Sequence, residues 1–132
     1  MAQTKVVNPW TWQDQYGFSQ AVEVRDGAHV LYCAGQTSVD ANGTPMHKGD
    51  MVAQVNQALT NLETVLKAAG LALKDVVRLN YYTRDVAAFM NSASAFGPRL
   101  GAAGCHPAST LLGVASLFHP DILVEIEATA VY

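Results

Sequence analysis

Apolar and polar positions change period several times along this chain, and each change predicts an element. From Phe18 to Arg25 the residues alternate: Phe18, Gln20, Val22 and Val24 on one side, Ser19, Ala21, Glu23 and Arg25 on the other. That predicts a strand. Asp26-Gly27 is a hairpin signal, and His29 to Ala34 returns as a second strand ending at Gly35. Residues 37–50 read as loop, with a turn at Asn42-Gly43 and Pro45 excluding helix. Asp50 is a good N-cap. Beyond it Val52, Val55, Leu59, Leu62, Val65 (with Leu66) and Ala69 recur at spacings of three and four, which predicts an amphipathic helix stopped by Gly70. Asp75 to Thr83 is β-rich and reads as a third strand. Asp85 caps a second helix to about Phe96, after which Gly97, Pro98, Gly101 and Gly104 predict a loop. Ser109 to Ala115 and Ile122 to Val131 are the last strands, with a turn at His119-Pro120-Asp121.

The predicted order is ββαβαββ, without internal repeat or linker. It argues one α+β domain over residues 1–132, with a mixed sheet and two helices on one face. Residues 1–15 read as an N-terminal arm whose Trp10 and Trp12 need cover. The other sheet face also needs cover. In the last strand Ile122, Val124, Ile126, Ala128 and Ala130 point one way, and Leu123, Glu125, Glu127, Thr129 and Val131 the other. The second set is only partly polar, which predicts a closed homo-oligomer with a site at a subunit interface.

Composition agrees. At 132 residues the chain can bury a core without staples. Half its residues are hydrophobic and only 14% are charged, which suits burial of surface between subunits. Net charge is −3 with no basic run, so a nucleic-acid partner is unsupported. No stretch reaches the roughly 18 uninterrupted apolar residues of a membrane span, and no signal core follows Met1. Two cysteines make no disulfide framework, so a cytoplasmic protein with reduced thiols is the expectation.

Candidate chemistry is sparse. The four histidines are scattered without a zinc spacing, so no metal is expected, and no phosphate-loop or dinucleotide pattern calls for a cofactor. Cys105 follows a glycine-rich loop, where it is either an accessible nucleophile with His106 or His119 as base, or a loop thiol without a role. Cys33, mid-strand, reads as core. Glu125 and Glu127 share a strand face flanked by apolar residues. Partial desolvation there raises a carboxylate towards acid–base use, unless Arg78, Arg84 or Arg99 of a neighbouring subunit pairs with it. Gly35-Gln36 ends a strand where a backbone amide and a side-chain amide could hold a ligand oxygen, or simply turn the chain. Asn91, on the second helix, is either a ligand contact or a solvated residue.

Several motifs resemble one family in the right order. Gly17-Phe18-Ser19-Gln20-Ala21-Val22 is similar to the Gly-Pro-Tyr-Ser-Gln-Ala motif of the Rid family (YjgF-type enamine/imine deaminases). Cys33-Ala34-Gly35-Gln36-Thr37 resembles its Ser-Gly-Gln, and Phe89 through Phe96, with Asn91, resembles its Asn-containing helix before a Phe-Gly. Ala68-Ala69-Gly70 and Lys74-Asp75-Val76-Val77 match in spacing, and Val124-Glu125-Ile126-Glu127-Ala128 matches its Val-Glu-Ile-Glu-Ala. The resemblance implies a chorismate-mutase-like fold and a homotrimer with clefts between subunits. It implies hydrolysis of enamines or imines to ketones and ammonia, with Glu125 positioning or activating water and Gly35 lining the cleft. Three positions depart from the pattern. Ser109 stands where the family has the arginine that pairs with a substrate carboxylate, Leu111 where it has a thiol or hydroxyl, and Phe18 where it has a tyrosine. Losing a bidentate carboxylate clamp removes on the order of 2–5 kcal/mol of recognition unless Arg99 or another residue replaces it.

The expected function is deamination or a related hydrolysis of a small enamine, imine or aminomuconate-like metabolite. Glu125 is the catalytic candidate, and Phe18, Gly35, Gln36, Asn91, Cys105, Ser109 and Leu111 are the binding candidates. The alternative is a non-catalytic protein that binds a metabolite or partner at the same cleft.

Overall fold

The structure is a computed structural model and describes residues 2–27 and 29–132. Strands β1 (Gln3–Val7) and β2 (Ala21–Arg25) form a two-stranded antiparallel ribbon. Strands β3 (Val30–Gln36), β4 (Val76–Thr83), β5 (Ala108–Gly113) and β6 (Val124–Val131) form the main sheet in the order β3-β6-β4-β5. The β4–β5 pair is parallel and the other two are antiparallel, so the sheet is mixed. Helices α1 (Met51–Ala68), α2 (Val86–Asn91) and α3 (Ala93–Ala102) cover one face.

The long helix forms for the reasons the sequence gives at its ends. The Asp50 carboxylate accepts from the Ala53 amide at 3.0 Å, and Gly70 leaves the helix at φ +76°, a backbone region disfavoured for any side chain with a Cβ. Its buried face is Met51, Gln54, Val55, Ala58, Leu59, Leu62 and Leu66. Val52 and Val65, expected on that face, are instead exposed, because the buried stripe includes the amide of Gln54 and the small Ala58. The fully buried Leu59, Leu62, Leu66 and Leu79 each contribute roughly 1.5–3 kcal/mol to the core between α1 and the sheet. In β6 the expected alternation holds: Val124, Ile126, Ala128 and Ala130 are buried under the helices, while Glu125, Glu127 and Thr129 lie on the open face.

Three expectations fail. The Asp26-Gly27 turn does not pair its two flanking strands. β2 pairs with β1 instead, and β3 pairs with β6, where Leu31 and Cys33 lie opposite Ala130 and Ala128 and join the core. Ala28, within that turn, lies outside the described residues. The segment read wholly as an arm contains β1, and Phe18 lies before β2 rather than in it. There the Ser19 amide donates to the Pro107 carbonyl at 2.7 Å and its hydroxyl to the His106 carbonyl at 2.7 Å. Finally, Gly97, Pro98 and Gly101 lie inside α3. Phe96 and Leu100, four residues apart and both buried, hold that turn in helix against its breakers.

Candidate functional site

The sheet separates the candidate residues into two groups. Paired residues in neighbouring strands share a face, so register decides which. Ser109 pairs with Leu79 and Leu111 with Tyr81, which turns both towards the helices at the sheet edge. Glu125 pairs with Tyr82 and Glu127 with Asn80, which turns all four to the open face.

On the helix side lies a pocket of about 290 Å³. Phe18 and Trp12 close one wall, their rings edge to face at 5.8 Å between centroids. Tyr81, Phe89 and Phe96 form the floor, with centroids 4.9, 5.3 and 6.1 Å apart. Tyr16, Met90, Ala93, Ser109 and Leu111 complete the lining. The Ser109 hydroxyl oxygen is shielded from solvent and has no hydrogen-bond partner among the described residues. A buried hydroxyl without a partner costs roughly 1–3 kcal/mol, a penalty a ligand atom can remove once the side chain rotates into the pocket.

On the open face, Gly35, Tyr82, Val114, Leu117, Glu125 and Glu127 enclose about 280 Å³. The Glu125 side chain lies directly over Gly35. A Cβ there would sit 1.9 Å from Glu125 Oε1, so only glycine permits this placement. Burial raises the Glu125 carboxyl above its usual range, and the nearby negative charge of Glu127 raises it further. Glu127 is held by two donors, the Tyr82 hydroxyl at 2.8 Å and the Asn80 amide at 3.2 Å. The pair is therefore unequal: Glu127 is fixed in place by its two donors, while Glu125 takes a proton more readily than a solvated glutamate.

The remaining candidates lie elsewhere. Gln36, half-buried on β3, donates to the Ala34 carbonyl at 3.2 Å. Asn91 is exposed at the end of α2. Cys105 is buried, and burial pushes its thiol up to about 12, which removes it as a nucleophile near neutral pH. It lines a neighbouring hollow with Phe18 and His106. Arg99 does not reach either pocket. It lies on α3 and donates to the Asn56 carbonyl at 2.9 Å, the Thr60 hydroxyl at 3.0 Å and Glu63 at 3.3 Å, all on α1. Arg78 donates to the Thr110 hydroxyl at 2.7 Å and Arg84 to the Pro120 carbonyl. Among the described residues no ion pair involves Glu125 or Glu127. No group of three or more His, Cys, Asp or Glu could hold a metal among them, and no helix is long and apolar enough to cross a membrane.

Sequence reasoning missed the aromatic floor and the Tyr82–Asn80 hold on Glu127. Tyr81, Phe89 and Phe96 come from three elements, and only the tertiary fold brings them together.

Residues 13–132 match the family described as Endoribonuclease L-PSP. A RutC family protein of Pyrococcus horikoshii is 33% identical over 113 residues, covering 86% of this chain and 85% of that one. A 2-iminobutanoate/2-iminopropanoate deaminase of Mus musculus is 33% identical over 114 residues, covering 86% and 80%. Among solved structures, a Rid family protein of unknown function, YyfB from Yersinia pestis, is 38% identical with a TM-score of 0.85, covering 98% of each chain.

Proposed function

The chain belongs to the Endoribonuclease L-PSP family, which includes the Rid or YjgF proteins, and we propose that it hydrolyses small enamines or imines. The working cleft is built from two copies in a homotrimer. The aromatic pocket comes from one copy and Glu125 over Gly35 from the other, because within one protomer these groups occupy opposite faces of the sheet. The open face also carries Tyr32, 81% exposed, with Leu112 and Val30, an apolar set that a neighbouring copy would cover. The mouse relative's name supplies the class of reaction, release of ammonia from an imine.

The observation that carries this reading is the paired carboxylates, Glu125 raised and Glu127 held by two donors. Protonated Glu125 donates to the substrate nitrogen. As water adds to the imine carbon, the resulting carboxylate takes one of its protons. The carbinolamine then collapses, the C–N bond breaks and the nitrogen leaves as ammonia, giving a ketone or aldehyde. Acid–base catalysis of this kind contributes about 10²–10⁴-fold in rate. With net charge −3 and no basic run, the family's descriptive name gains no support as an RNA-cleaving activity here.

The test is ammonia release from a panel of imines, enamines and aminomuconate-type compounds, with Glu125→Gln alongside. The expected result is turnover of at least one member and loss of about 100-fold or more in the variant. Equal activity in Glu125→Gln would remove the carboxyl from the mechanism. A second reading, binding without turnover, is favoured by the unpartnered Ser109 hydroxyl in an apolar pocket. A compound that raises the melting temperature and is recovered unchanged, with no panel member consumed, would establish it.

A further inference from the structure

We propose that the pocket around Ser109 recognises a neutral aromatic ring bearing one short polar substituent, and excludes a carboxylate. This rests on the cleft described above and names the part of the substrate that the cleft selects.

The lining decides the class. Trp12, Tyr16, Phe18, Tyr81, Phe89 and Phe96 present ring faces and edges on several sides. Such surfaces favour a planar unsaturated guest through offset and edge-to-face contacts. No Lys, Arg, His, Asp or Glu lines this pocket among the described residues. An anion placed there loses its hydration with no charge to replace it. Arg99, the nearest candidate clamp by sequence, is committed to α1.

Size and polarity narrow the class further. The volume, about 290 Å³, is nearly twice that of an apolar cavity of about 150 Å³ that accepts benzene. One ring with a short substituent fits with room to spare. Among the described residues the Ser109 hydroxyl is the lone polar side chain in the lining apart from the tyrosine hydroxyls and the tryptophan N–H, and it is shielded without a partner. It both donates and accepts, so once its side chain rotates towards the pocket it suits an amide, ketone or imine nitrogen on the guest. Leu111 pairs with Tyr81 and presents an alkyl wall beside the hydroxyl.

The experiment is binding to the intact chain, followed by ligand-observed NMR and by fluorescence of Trp12, with benzamide, benzoate and isobutyramide as probes. Glu125→Gln serves as host, so that turnover plays no part. Benzamide is expected to bind at least about tenfold more tightly than benzoate or isobutyramide, since both the ring and neutrality are required. Ser109→Ala should weaken benzamide by about 3–10-fold, the loss of one hydrogen bond. Leu111→Trp should abolish binding by filling the pocket. Ser109→Arg should reverse the order in favour of benzoate. Benzoate binding as well as benzamide, or benzamide binding unchanged in both Leu111→Trp and Ser109→Arg, would overturn the proposal. Ring binding without any turnover by the unsubstituted protein would instead leave the pocket assignment standing and remove the hydrolytic reading.

Discussion

Replacing Gly35 by alanine separates the position of Glu125 from the stability of the fold. An added Cβ would meet three atoms of one side chain: Glu125 Oε1 at 1.9 Å, Cδ at 2.6 Å and Cγ at 2.8 Å. A relaxed carbon–oxygen contact is about 3.3 Å, so the carboxylate oxygen must retreat by about 1.4 Å. The flexible glutamate can do so by changing rotamer, and Gly35 has no positive φ that an alanine would resist. The rotamer change costs about 1 kcal/mol, offset by the 0.4–1 kcal/mol or so gained when alanine narrows the unfolded ensemble. Stability should therefore change by less than about 1 kcal/mol, a few degrees in a thermal melt. Catalysis should not survive so well, because a 1 Å misplacement of a reacting group can cost about 100-fold. Circular-dichroism melts and steady-state ammonia release read the two effects separately. A variant that keeps kcat within about threefold would refute the claim that Glu125 must rest on Gly35. A loss of more than about 3 kcal/mol would show that backbone yields rather than the glutamate.

Stability should also depend on Glu125 and pH. A carboxyl raised on folding binds its proton more tightly in the native state, so its contribution falls as pH rises from the ordinary value near 4.5 through the raised one. Glu125→Gln should therefore melt with wild type below that window and above wild type at neutral pH, and an unchanged difference across pH would contradict the raised carboxyl. Gln54 is fully buried and clamps two loops, donating to the His47 and Asp121 carbonyls at 3.1 and 2.8 Å and accepting from the Leu123 amide at 2.8 Å. Gln54→Ala orphans these groups and should cost about 3 kcal/mol in urea unfolding, whereas a cost below about 1 kcal/mol would mean water replaces the amide freely. Cys33 and Cys105 are buried, and burial raises both thiols, so neither should react with a disulfide reagent at neutral pH until urea unfolds the chain.

Much of the scaffold was legible because its signals are local. Asp50 and Gly70 bound the long helix, and the two faces of β6 differ in polarity from Val124 to Ala130. The failures came where tertiary packing outweighed local preference. Phe96 and Leu100 carry helix through Gly97 and Pro98, and the pairing of β3 with β6 overrides the Asp26-Gly27 hairpin signal. The site was legible as residues and not as geometry. Glu125 and Gly35 stand out in the sequence, yet their contact depends on the β3–β6 register and its irregularity between Cys33 and Gln36. The placement of Ser109 on the opposite face from Glu125 follows from the parallel pairing of β4 and β5, which no local pattern fixes.

That opposition underlies the proposed cleft between copies, and mixing two defective variants puts it to the test. Glu125→Gln keeps the aromatic pocket, and Leu111→Trp keeps Glu125. Each alone should be inactive on a substrate the wild type consumes. When the two are co-expressed in equal amounts and purified as one assembly, about a quarter of the clefts should combine the intact halves by chance, and about a quarter of wild-type activity should return. Mixed assemblies no more active than the two parents would show that pocket and carboxylate do not meet across an interface.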